Sequence, residues 1–349
     1  MVRSGHDVLV TAAASLGRHV TDLELAFTPS GPDLVPIRSE LIMYSLEEER
    51  QAIPGHFIAR LGPARARDLI TIARDWAADL MISDDADYGA VVAAEAVGVP
   101  HVSVVVSAAG GLATPELIAG PLEALRAAVD LPVESGLLML QRSLTLNQFP
   151  PTFRSPAAPL VGSVVNYRSG PVPPQPPAAD GGKAYVTLGT IFNTESGDLL
   201  AKLTSAVAAS PQVSSVIVAT GEHIDPSELG PQPDTVMVHR FVHQQQILVS
   251  CSVVVCHGGS GSVLDAIRFG LPMILLPLGA DQPLNAARCR DLGCAVVLRA
   301  DRATGAEIAG AVGRVLTEVS YRDAARRLQA ELRHLPSIDD IVPALERLS

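Results

Sequence analysis

The sequence predicts an α/β protein built from two doubly wound, parallel-sheet domains, and three observations predict it. The 349 residues are too many for one typical domain and suit two. A stretch from Asn166 to Lys183 carries Pro171, Pro173, Pro174, Pro176 and Pro177 with Gly170, Gly181 and Gly182. It fits neither a helix interior nor a central strand, so it reads as an extended, exposed linker near the middle of the chain. On both sides, short Val/Ile/Leu runs without polar alternation are interleaved with helical segments, the pattern of strands covered on both faces.

The elements follow in order. In the first half, strands are expected at Asp7–Thr11, Leu80–Ser83 and His101–Val106, with helices near Ala64–Trp76, Tyr88–Val97 and Pro115–Val129. In the second half, strands are expected at Ala184–Leu188, Val213–Ala219, Thr235–His239, Ser252–Cys256, Met273–Leu276 and Ala295–Leu298. Helices fall between them at Gly197–Ala209, Gln244–Val249, Gly261–Phe269, Pro283–Leu292 and Gly305–Val319. The boundaries drawn are a first domain over 1–165, a linker over 166–183 and a second domain over 184–335. A C-terminal helix over 336–349 is expected to pack back toward the first domain. A ligand is expected between the halves, at the carboxyl ends of the strands.

The opening residues, Met1 to Val10, read as a helix end, a glycine cap at Gly5 and a strand. A doubly wound domain opens with a strand and a glycine-rich turn, and no such pair precedes Asp7. The first domain is therefore expected to be incomplete at its N-terminus and less stable than the second.

Composition excludes several classes. Twenty-six Lys and Arg against 37 Asp and Glu give a net charge of −11, unsuited to general nucleic-acid binding. The densest basic stretch, Arg322 to Arg333, alternates with Asp323 and Glu331 and reads as a solvated helix face. No apolar run is long enough to span a membrane and no signal segment opens the chain. Cys251, Cys256, Cys289 and Cys294 form two C-x4-C pairs, wider than structural zinc sites prefer, so free thiols, no metal and a reducing cytoplasmic location are expected.

The chemistry concentrates between Phe241 and Asn285. Val253-Val-Val-Cys256-His257-Gly258-Gly259-Ser260-Gly261-Ser262 is a strand, a glycine-rich turn and a helix start. Such a turn lets backbone N–H groups approach an anion at the positive end of a helix, as a diphosphate requires. The plainer reading is a tight turn with Ser260 as an N-cap. Further on, Leu278-Gly-Ala-Asp281-Gln282-Pro-Leu-Asn285 follows a strand. Asp281 and Gln282 there offer an acceptor and an amide, the groups that grip sugar hydroxyls. Their plainer reading is a turn before a helix opening on Pro283.

Together, His257-Gly-Gly-Ser-Gly-Ser, Gly270-Leu-Pro and Leu276-Pro-Leu-Gly-Ala-Asp281-Gln-Pro-Leu-Asn285 resemble the donor-binding signature of bacterial natural-product glycosyltransferases. Those enzymes decorate macrolides, enediynes, polyketides and glycopeptides with the two-domain Rossmann-like fold called GT-B. Thr187-Leu-Gly-Thr190 resembles the family too, as do Gly5-His-Asp-Val-Leu-Val10 and Ala93-Ala-Glu-Ala-Val-Gly-Val-Pro100 in the first half.

The resemblance implies that His257 and the backbone of Gly258, Gly259, Ser260, Gly261 and Ser262 hold the donor diphosphate, with help from Thr190. It implies that Asp281 and Gln282 contact the sugar and that Gln244 lies beside the nucleobase, although His243 stands where the family has Pro. It implies no metal and no cofactor beyond a TDP- or UDP-sugar co-substrate. On the acceptor side the family uses a His as base on its first loop, which this chain lacks, oriented by an Asp for which Asp84 or Asp85 is the candidate. His6 matches the family's second strand, while His19, His56 and His101 read as ordinary surface or edge histidines.

The implied activity is inverting transfer of a hexose from a TDP- or UDP-sugar to a hydroxyl of a hydrophobic small molecule. The alternatives are a catalytically inactive nucleotide-sugar-binding relative or remnant and a nucleotide-sugar epimerase. The acceptor, the sugar, the choice of TDP or UDP and the oligomeric state, a homodimer included, stay open.

Overall fold

The computed structural model describes residues 1–33, 41–134, 137–174, 182–190 and 192–348. The second half forms one parallel sheet of six strands: β7 (Gly182–Thr187), β8 (Val213–Ala219), β9 (Val236–His239), β10 (Val253–Cys256), β11 (Met273–Leu275) and β12 (Ala295–Val297). Its spatial order is β12-β11-β10-β7-β8-β9, the order of a doubly wound dinucleotide-binding sheet. The strand centres carry apolar side chains on both faces, and two clusters bury them. One cluster packs Tyr185, Val254, Met273 and Leu275 against helices Ser260–Arg268 and Val319–His334; the other packs Val186, Val218, Val255 and Ile274 against Leu199–Ala208 and Gly305–Thr317.

The first half is organised differently. Strands β1 (Leu9–Ala12) and β2 (Ala26–Pro29) pair in parallel as a separate two-stranded sheet. Strands β3 (Met81–Asp84), β4 (His101–Val104), β5 (Leu144–Asn147) and β6 (Ser163–Asn166) form a four-stranded parallel sheet. No ladder joins the two sheets among the described residues. Arg65 spans between them, donating to the Thr11 carbonyl from beside Ser30 and ion-pairing with Asp87 at 2.9 Å. Gly5 closes a short 3₁₀ helix, Val2–Ser4, in the left-handed conformation, so a single turn precedes the expected cap.

The linker is shorter than its expected span of 166–183. Asn166 closes β6, paired with Asn147, while Gly182 and Lys183 open β7 against β8. Pro176, Pro177 and Gly181 lie outside the described residues. The last helix, Ile338–Glu346, buries Ile341 and Leu345 against Val102, Leu146 and Tyr167 of the first half. His6 and Glu346 meet there at 3.0 Å.

The small two-stranded sheet of the first half and the six-stranded sheet of the second differ in depth of burial. No residue of β1 is buried, whereas every residue of β10 is. Amide exchange follows the free energy of local opening, which rises with buried packing. Backbone amides of β1 and β2 are therefore expected to exchange roughly 100-fold or more faster than those of β7 and β10 in hydrogen–deuterium exchange. Equal protection would show that the small sheet is as firmly held as the large one.

Candidate functional site

In the order β12-β11-β10-β7-β8-β9 the chain reverses direction across the sheet between β10 and β7, and a crevice opens there at the carboxyl ends. After β7 the chain turns through Gly189 and Thr190; after β10 it turns through His257 and Gly258 into the helix Ser260–Arg268. A cavity of about 730 Å³ lies between these turns and the start of the helix Gln244–Leu248. Its walls bring together Thr190, Gln244, His257, Gly259, Ser260, Gly261, Ser262, Asp281 and Gln282. Gly258 is buried just beneath, at a φ of +87°. Gly189 has a φ of +77°, and a Cβ on it would lie 2.8 Å from the His257 ring, so only glycine lets the two turns meet.

The helix Ser260–Arg268 begins without a side-chain cap, because its N-cap position is Gly259. Its first N–H groups thus carry the positive helix end with no side chain of the chain itself on them. His257 stands beside them. Burial pushes its imidazole down to about 4, so the ring is neutral at pH 7. Its Nδ1 is buried with no hydrogen-bond partner among the described residues. No lysine or arginine lines the cavity among the described residues. Any anion here is therefore met by N–H and O–H dipoles.

Ser260 does not act as an N-cap. Its hydroxyl donates to the Asp281 carboxylate and accepts from the backbone N–H of Ala108, at 2.9 Å, from the first half. Asn285 is wholly buried and sits beside both. Its amide nitrogen reaches the Gly258 carbonyl at 3.0 Å and Asp281 at 2.8 Å, and its oxygen accepts from Ala109 N–H at 3.0 Å. Burial raises the Asp281 carboxyl, opposed by the Ser260 and Asn285 hydrogen bonds. The Gln282 amide oxygen accepts from the N–H groups of Leu278 and Gly279, shaping the loop that ends in Asp281. Asp281, which follows a later strand in the sequence, is thus bonded directly to Ser260 of the glycine turn.

A second cavity, of about 210 Å³, opens in the first half between the ends of β1 and β3, with Ala12, Ser30, Arg65, Asp84 and Asp87 on its wall. Asp84 accepts from Ala86 N–H at 2.8 Å and faces this cavity. Asp85 turns the other way and accepts from Val106 N–H at 3.0 Å. Burial raises its carboxyl to about 6, against the nearby Arg154. His101 is buried between Ser83 and Ser143 and pushed down to about 4 by burial. His19 is exposed, and His56 packs edge-on against Phe57. None of His6, His19, His56 and His101 lines either cavity. The four cysteines are free and buried, and burial pushes Cys251 and Cys256 up to about 12.

Sequence reasoning missed three groups. Asn285 had been read only as part of the run that ends the motif. Asp265, on the cavity wall, is paired with Arg268 at 2.7 Å and sits one turn along the same helix face from Ser262. Ala108 and Ala109 enter through backbone N–H groups, which no side-chain motif reveals.

Residues 204–348 match the family model described as erythromycin biosynthesis protein CIII-like, C-terminal domain. The TDP-daunosamine transferase DnrS of Streptomyces peucetius is 25% identical, with 99% of this chain and 91% of the relative aligned. The erythronolide mycarosyltransferase of Saccharopolyspora erythraea is also 25% identical, over 99% of this chain and 92% of the relative. Among solved structures, the spinosyn rhamnosyltransferase SpnG complexed with thymidine diphosphate aligns with a TM-score of 0.80 at 21% identity, covering 99% of this chain and 93% of that one. The glycosyltransferase VinC in complex with dTDP aligns at 0.76 and 23% identity with the same coverage. The fold is GT-B.

Asp85 gives a stability test. Its carboxyl titrates at about 6 in the folded chain, against an ordinary value of 3.8. The stability it contributes is full below pH ~4 and is lost as pH rises through ~6, because folding then buries a charge. Asp85→Asn removes that loss. The stability of the variant relative to the parent is expected to rise by up to about 3 kcal/mol between pH 4 and pH 7.5. Thermal or urea unfolding across that range measures it, and a difference independent of pH would refute the assignment.

Proposed function

We propose that this chain, whose residues 204–348 match the erythromycin biosynthesis protein CIII-like C-terminal domain, transfers a hexose from a TDP- or UDP-sugar to a hydroxyl of a hydrophobic natural product, with inversion. The observation that carries this reading is the cavity between the Gly189–Thr190 and His257–Ser262 turns. It has the dimensions of a nucleotide-sugar site and meets an anion with the bare start of a helix and an unpartnered His257 nitrogen. Relatives named for transferring TDP-daunosamine and mycarose support a deoxyhexose donor.

In this reading the acceptor oxygen attacks the anomeric carbon from the face opposite the diphosphate. The bond from that carbon to the phosphate oxygen breaks, and the nucleoside diphosphate leaves with the electron pair. Helix N–H groups, the Ser262 hydroxyl and His257 stabilise the charge growing on the leaving oxygen, so no metal is required for it. Asp281 and Gln282, on the same wall, orient the sugar. On the acceptor side the Asp84 carboxylate is the group placed to accept the proton that the attacking hydroxyl loses, since Asp84 lines the first-half cavity and Asp85 does not.

The test is calorimetry with TDP and with UDP in EDTA. Binding is expected without a divalent cation. His257→Ala is expected to weaken it roughly 10- to 150-fold, the loss of one hydrogen bond to a charged group. Binding that requires Mg²⁺ would overturn the metal-independent reading. Binding without transfer to any of a panel of polyketide and macrolide aglycones would favour a catalytically inactive relative.

A further inference from the structure

The partners of the Ser260 hydroxyl fix the direction of its proton. Its oxygen accepts from the Ala108 backbone N–H at 2.9 Å and from the Asn285 amide nitrogen at 3.1 Å. Both partners can only donate there. The Asn285 amide is oriented by its own oxygen, which accepts from the Ala109 N–H at 3.0 Å, so its NH2 group faces Ser260. The two lone pairs of the hydroxyl are thereby used, and its single proton goes to Asp281. That proton and the Asn285 amide, at 2.8 Å, arrive at the same carboxylate oxygen, Oδ2. Oδ1 takes part in neither bond, and Asp281 stands on the wall of the cavity. With its proton and both lone pairs committed, the Ser260 hydroxyl has nothing left to offer a ligand. One of the partners that set it, Ala108, lies in the first half, beyond β4.

We propose that Ser260 is a positioning residue for the donor sugar: its hydroxyl pins Oδ2 of Asp281 and so turns Oδ1 into the cavity, where it accepts from the sugar hydroxyls. The proposal rests on the glycosyltransferase reading given above. The terminal torsion of an aspartate is broad, so the plane of a carboxylate is set by what bonds to it. Two donors from different residues hold that plane, and Asn285 alone holds it less firmly. The Ser260 side chain touches neither nucleotide nor sugar and acts only through Asp281. Because Ala108 helps to direct the hydroxyl, the aim of Asp281 depends on the first half being seated against the second. The diphosphate end, built from backbone N–H groups of the second half, does not depend on it.

The experiment compares binding of TDP with binding of TDP-glucose and TDP-rhamnose, using whichever sugar nucleotide the parent protein binds more tightly. It is run on the parent, Ser260→Ala, Asp281→Ala and the double variant. Ser260→Ala is expected to weaken the sugar nucleotide by about 10-fold and to leave TDP within about twofold, since the backbone N–H groups are unchanged. Added to Asp281→Ala, it is expected to cost less than about twofold more, because a residue acting only through that carboxylate has nothing left to act on. Ser260→Thr, which keeps the hydroxyl, is expected to restore most of the loss. Ser260→Cys, close in shape but a weak donor and acceptor, is expected to reproduce the Ser260→Ala pattern. It carries the test if Ser260→Ala fails to fold, as thermal unfolding would report. Equal losses for TDP and the sugar nucleotide, no loss for either, or losses that multiply in the double variant would overturn the proposal. So would a Ser260→Thr variant no better than Ser260→Ala. A parent protein that binds no TDP at all would instead overturn the underlying reading.

Discussion

The buried amide of Asn285 is the group on which the arrangement of the site depends. It is wholly removed from water, so each of its polar atoms must find a partner inside the protein. It finds the Gly258 carbonyl on the glycine turn, the Asp281 carboxylate on the following loop and the Ala109 N–H from the other half of the chain. An apolar replacement leaves the first and third of these buried and unpaired, at about 1–3 kcal/mol each. A carboxylate in its place would sit against Asp281 with no cation to offset either charge. Through this amide and the neighbouring Ser260 hydroxyl, the glycine turn, the Asp281 loop and the contact with the first half share one set of hydrogen bonds. None of the three can shift without the others adjusting.

Much of this was legible in the sequence, and the limits have physical causes. The six strands of the second half announce themselves because a doubly covered parallel strand needs an unbroken apolar run, as in Val253–Cys256. The glycine turn is legible because only glycine tolerates the φ of Gly258 and the approach of Gly189 to His257. Strands Ala26–Pro29, Leu144–Asn147 and Ser163–Asn166 were missed because they are four residues long and mix Thr, Asn, Ser or Pro with their apolar residues. Ser260 invited reading as an N-cap, a role that tertiary contact with Asp281 overrides.

Among the described residues no lysine or arginine lines the cavity, and on the proposed reading this has a consequence for how nucleotide binding responds to ionic strength. Sites built on clustered cations lose affinity as salt screens the attraction and competes for the charges. Here the short-range partners are fixed N–H and O–H dipoles pressed against the ligand, which mobile ions screen little. The long-range field has the opposite sign, because the chain carries a net charge of −11 and repels a polyanionic nucleotide during its approach. Added salt weakens that repulsion and leaves the contact dipoles intact. On the proposed reading, a nucleoside diphosphate is therefore expected to bind this crevice as readily in concentrated salt as in dilute buffer, or more readily.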